Sequence, residues 1–111
     1  IDLMKSYQGE TGHLLSPQTA HQMLSTQIKI PNNHLESRLG LSDAYGLGVE
    51  LQGTGQGPKV WHAGGTWGSC SVIWFYPQIG KGAAVMVNSA SGSLLRFEIL
   101  LSIASAYSWP R

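Results

Sequence analysis

The sequence predicts an α+β fold in which an antiparallel β-sheet packs against a C-terminal helix. Three observations point there. Apolar residues alternate with polar or glycine residues from Tyr45 to Gln52, the period-two pattern of a half-buried strand. Three further strand-like runs follow, Lys59 to Ala63, Val72 to Tyr76 and Ala83 to Val87, joined by connections too short for parallel crossovers. Leu94, Leu95, Phe97, Leu100, Leu101, Ile103 and Ala104 then recur at helical spacing between Ser93 and about Tyr107.

Each element has local grounds. Residues 1–7 read as the end of a helix, broken by Gly9 and Gly12. Ser16-Pro17 reads as an N-cap followed by proline at the first helical position. The helix it starts runs to about Ser25, with Ala20, Met23 and Leu24 on its apolar face. Pro31-Asn32-Asn33 ends that region, and residues 31–43 read as a loop. Gly53 to Pro58 reads as a flexible turn, the second strand is expected to stop at Gly64-Gly65, and Pro77 stops the third. The C-terminal helix is apolar on most of its circumference. It therefore requires cover on more than one side, more than the rest of so short a chain can supply.

Composition narrows the functional classes. A chain of 111 residues is enough for one small domain. Its formal net charge of +1, with no Lys/Arg cluster, offers no field for nucleic acid. Charged residues make up 12%, about half the usual share. Arg96, Glu98 and Ser102 interrupt the C-terminal apolar run, which argues against a membrane span. The single cysteine, Cys70, excludes an internal disulfide and reads as a buried structural thiol beside an apolar strand. His13, His21, His34 and His62 do not have metal-ligand spacing, and no metal or cofactor is expected. The glycines at 53, 55 and 57 lack the Lys-Ser/Thr and following helix of a phosphate loop. Trp74 reads as core, whereas Trp67, between Thr66 and Gly68, fits a turn or a substrate pocket equally well.

The segment with most chemical content is Trp61-His62-Ala63-Gly64-Gly65-Thr66-Trp67-Gly68-Ser69. A strand ending in glycines lets another backbone or a ligand approach closely, and its N–H groups can donate to a developing oxyanion. On these residues alone, a tight hairpin turn with a surface histidine is the stronger alternative.

The wider order strengthens the functional reading. Leu14-Leu15-Ser16-Pro17-Gln18-Thr19, Tyr45-Gly46-Leu47-Gly48-Val49, His62-Ala63-Gly64-Gly65-Thr66, Trp74-Phe75-Tyr76-Pro77 and Gly82 to Ser89 occur in sequence. Together they resemble the class C β-lactamase and penicillin-binding-protein-like serine hydrolase family, over roughly residues 13–107. The resemblance implies that residues 1–111 are the C-terminal segment of a β-lactamase-like domain. It implies acyl-enzyme chemistry on a small-molecule ester or amide. His62 and Gly65 would be catalytic, Gly65 through its backbone N–H in the oxyanion hole. Ala63, Gly64 and Trp67 would contact substrate. His62 stands where classical β-lactamases carry lysine, and Ala63 lacks the hydroxyl that holds a substrate carboxylate, which argues against a dedicated β-lactamase. The family's nucleophile lies in S-x-x-K. No serine here has lysine three residues on, and no Y-x-N is present.

The chain is therefore expected to be inactive alone and to need, as partner, an N-terminal portion of the same protein that carries S-x-x-K. Family precedent points to the bacterial periplasm or cell envelope. The competing expectation is a non-catalytic subunit or degenerate relative used for binding or assembly, and homodimerisation through apolar surface is a third.

Overall fold

The computed structural model describes residues 1–53 and 57–110. Thr54, Gly55 and Gln56 of the expected Gly53–Pro58 turn lie outside the described residues. Two helices open the chain, α1 (Asp2–Tyr7) and α2 (Pro17–Met23). Ser16 caps α2 as the sequence requires, its side chain accepting the Thr19 N–H, with Pro17 in the first turn. Strand β1 (Ile28–Lys29) and the one-turn helix α3 (Leu35–Arg38) follow. Then come β2 (Ala44–Tyr45), β3 (Glu50–Gln52), β4 (Lys59–Thr66), β5 (Ser69–Tyr76), β6 (Lys81–Val87) and α4 (Ser93–Ala106).

All six strands pair antiparallel in the order β1-β2-β3-β4-β5-β6, a simple meander, and α4 lies against β5 and β6. The α+β architecture is thus the expected one. Three local readings are corrected. The alternation from Tyr45 to Gln52 is not one strand. It folds back on itself, with the Gly46 N–H donating to the Val49 carbonyl and Gly48 at φ +77°, a conformation that favours glycine. A Cβ at Gly46 would stand 2.5 Å from the Met23 carbonyl, so that glycine also admits the end of α2. The loop expected over residues 31–43 contains the helical turn α3, which starts after His34 without a side-chain cap. Finally, β4 does not stop at Gly64-Gly65. It continues through them to Thr66, because Gly64 and Gly65 keep register with Ser71 and Cys70 of β5.

The sheet has a core on each face. On one, Trp61, Val72, Trp74, Tyr76 and Val85 pack with Leu100 of α4, Phe97 and Ile99 closing the edges. On the other, Val60, Phe75, Leu51 and Ala44 pack with Leu24 after α2 and with Leu3, Met4 and Tyr7 of α1. Alternation along β4 explains the split: Trp61 and Ala63 face α4, Val60 and His62 face away. Helix α4 buries Leu100 and Ala104 against the sheet, but Leu94, Leu95 and Leu101 remain exposed. The cover that the sequence calls for on its far side is not supplied by the described residues.

Candidate active-site strand

The site-bearing strand changes character along its length. Val60 and Trp61 pair with Leu51 and Glu50 on one side and with Phe75 and Trp74 of β5 on the other, and Lys59 pairs with Gln52 of β3. Strand β3 ends its pairing at Glu50, opposite Trp61. From His62 to Thr66, β4 is paired with β5 alone among the described strands. Its second edge there is open, and the residues are partly or fully exposed.

The direction of the backbone groups on that open edge follows from Arg96. One guanidinium nitrogen, Nη1, donates to the Gly64 carbonyl at 2.9 Å and to the Ser71 carbonyl at 2.8 Å. Gly64 and Ser71 are opposite each other in the β4–β5 ladder. One nitrogen reaches both oxygens only if both carbonyls point into the space between the two strands. No cis peptide is present among the described residues, so the N–H of the Gly64–Gly65 peptide lies opposite its carbonyl. The Gly65 N–H therefore points to the open edge of β4. Ladder alternation turns the Ala63 N–H the same way.

Ala63, Gly64 and Gly65 also line a cavity of about 320 Å³, with Cys70, Ser93 and Arg96 among its other walls. Among the described residues that line it, Arg96 is the cation, and Ser93 opens α4. The remaining sequence candidates sit elsewhere. His62 is exposed on the face of β4 turned away from α4 and does not line the cavity. Trp67 occupies the tip of the β4–β5 hairpin, fully exposed, beside the hydrogen bond between the Thr66 and Ser69 hydroxyls. Cys70 is buried and its thiol faces the Gly92 backbone. Trp74 is core, as its apolar run implies, with the Lys59 ammonium over its ring at 4.1 Å. No cluster of three or more metal-ligating side chains occurs among the described residues.

Arg96 is the residue that sequence reasoning passed over. Its signal is an arginine set in a largely apolar helical run, which needs a reason to be there beyond breaking a membrane span.

Comparison with known families decides the lineage. The family model described as Beta-lactamase matches residues 1–107. The chain belongs to the Beta-lactamase family. No curated protein and no solved structure matches it. The match extends over α1, upstream of the region in which the sequence motifs are legible. No helix among the described residues is long and apolar enough to cross a membrane.

Proposed function

We propose that this chain supplies the oxyanion side of a serine hydrolase site that cleaves an ester or amide through an acyl-enzyme, with Gly65 N–H as an oxyanion donor. The observation that carries the reading is the orientation of the Gly64–Gly65 peptide, whose N–H is presented on the unpaired edge of β4. A donor held by a strand and aimed where no other strand takes it is preorganised for charge that develops during reaction.

The nucleophile would come from an S-x-x-K element outside these 111 residues, in an N-terminal portion of the same protein. Its serine oxygen attacks the substrate carbonyl while the adjacent base takes the hydroxyl proton. The carbonyl oxygen becomes an oxyanion facing Gly65, and the bond to the leaving group breaks as that group takes up the proton. Water then hydrolyses the acyl-enzyme. His62, exposed beside the open edge, contributes polar or cationic support. Ala63 offers no hydroxyl, so a substrate carboxylate finds no partner there, and a simple ester or amide fits better than a β-lactam.

A serine-directed fluorophosphonate tests the reading. The intact protein with its S-x-x-K region should be labelled, and residues 1–111 alone should not. Gly65→Pro removes the donor at a strand edge, where proline is tolerated, and should lower kcat by roughly 10²-fold. Labelling of the 111-residue chain alone at a serine would overturn the division of the site.

An assembly role has one observation of its own. Ile73 and Met86 lie exposed on the face opposite α4, and among the described residues no strand pairs with the outer edge of β6. A monomer–dimer measurement of the chain would decide whether that surface pairs two copies.

A further inference from the structure

We infer that Arg96 is a positioning residue for the oxyanion donor, holding and polarising the Gly64–Gly65 peptide from its carbonyl side. This rests on the reading of Gly65 as a donor and assigns what fixes that donor in place.

A peptide between two glycines is the least constrained unit a strand can contain, since neither flanking residue has a Cβ to restrict its dihedrals. The ladder with β5 sets its register, but among the described residues no strand pairs with its outer side, where the Gly65 N–H points. The Arg96 guanidinium adds a second tie on the carbonyl side and narrows the direction of that N–H. It bridges the carbonyls of Gly64 and Ser71, tying the peptide to β5 and to α4 at once. Its own placement is fixed by the helix: the Arg96 N–H bonds to the Gly92 carbonyl, and the guanidinium carbon lies 5.2 Å from the Phe97 ring centroid. No carboxylate pairs with Arg96 among the described ion pairs, so its charge acts on the two carbonyls undiminished by a neighbouring acid.

The electrostatic consequence runs through one peptide group. The Gly64 carbonyl and the Gly65 N–H belong to the same amide. A cation on the oxygen draws electron density from the nitrogen and makes the N–H more acidic and a stronger donor. The effect is delivered to the open edge, on the opposite side from the arginine. Arg96 need not touch the substrate to act on it.

The test pairs kinetics with a direct view of the amide in the intact protein. Arg96→Met keeps the aliphatic stem and removes the charge. Turnover of a chromogenic aryl ester should fall about tenfold in kcat with KM within about twofold, since an interaction made mainly in the transition state is weakened. Arg96→Lys should recover most of that loss. In 1H–15N spectra the Gly65 amide proton should move upfield in Arg96→Met. The Ala63 amide, which faces the same edge but whose peptide carbonyl is not held by Arg96, should stay in place. A rise in KM at constant kcat would show that Arg96 binds substrate directly and would overturn the inference. So would equal movement of the Gly65 and Ala63 amides, the mark of a merely structural role. If Gly65→Pro leaves kcat unchanged while Arg96→Met still shifts the Gly65 amide alone, the donor reading fails, although the hold of Arg96 on the peptide stands.

Discussion

Strand β4 is two strands in one. Its first three residues are buried, with Val60 and Trp61 paired on both sides, and its last five are paired on one side and partly or fully exposed. The first part is built from Lys59, Val60 and Trp61, side chains that fill the cores on the two faces. The second is built from Ala63, Gly64 and Gly65, residues that fill little and expose backbone. Stability lies where the side chains are, and the candidate chemistry lies where they are missing. The division also explains why glycines can stand in mid-strand: β5 holds them in register, Arg96 bridges the Gly64 and Ser71 carbonyls, and the outer edge stays open.

The largest effect should come from breaking the buried part. Trp61 is 7% exposed, its indole N–H donates to the Ser42 hydroxyl at 2.9 Å, and its ring meets Phe97 edge-on. Trp61→Ala should cost about 3–5 kcal/mol in urea unfolding, from lost packing and the cavity left behind. The equivalent truncation of Thr66, five residues along the same strand, should stay within about 0.5 kcal/mol. Similar costs at the two positions would erase the contrast.

A smaller effect sharpens it. Lys59 is a cation at the buried end of β4, and burial pulls its pKa from 10.5 down to about 8, partly opposed by Asp43. The sign follows from proton counting. Between pH 8 and 10.5 the unfolded chain binds more protons at this site than the folded one, so stability rises with pH across that window, and below it the full penalty applies. Attraction to the Trp74 ring and residual hydration of the ammonium reduce that penalty to about 1 kcal/mol. Lys59→Met should therefore raise the unfolding free energy from urea titration at pH 7 by about that amount, with the gain shrinking as pH approaches 10.5. An undiminished gain at high pH would mean that packing rather than charge is responsible.

The two parts of β4 were not equally legible in the sequence. Trp61, Trp74 and Leu100 announce a core by their type and spacing, and the order of motifs led to the family. What the sequence did not reveal was contact between distant segments. The strand was expected to end at the glycines, because local propensity says so; register with Ser69 to Ser71 overrides it. The alternation from Tyr45 to Gln52 imitated a strand because glycine fits both a pleat and a reverse turn, and only the φ of Gly48 tells them apart. Arg96 lies 32 residues from the carbonyl it holds, a separation no periodicity spans. The motif puts His62 in a strand, but the face it takes depends on the register with β5, in which His62 pairs with Ile73 and Ala63 with Val72.

The smallest effect is the most informative about where substrate sits. Trp67 is the natural suspect for a substrate contact, because a large aromatic beside a glycine-rich site usually serves binding. Here it is 100% exposed at the hairpin tip and outside the cavity that Ala63, Gly64 and Gly65 line. Nothing among the described residues packs on it, so Trp67→Ser should change stability by less than about 0.5 kcal/mol. On the function proposed above, any effect on turnover would come from what the proposed S-x-x-K portion or the substrate brings against it. A KM increase at unchanged kcat and unchanged urea midpoint would place the indole on the substrate's remote end, beyond the open edge of β4. Unchanged kinetics would confine the site to the backbone of that edge, leaving the exposed half of the strand to act through its peptides alone.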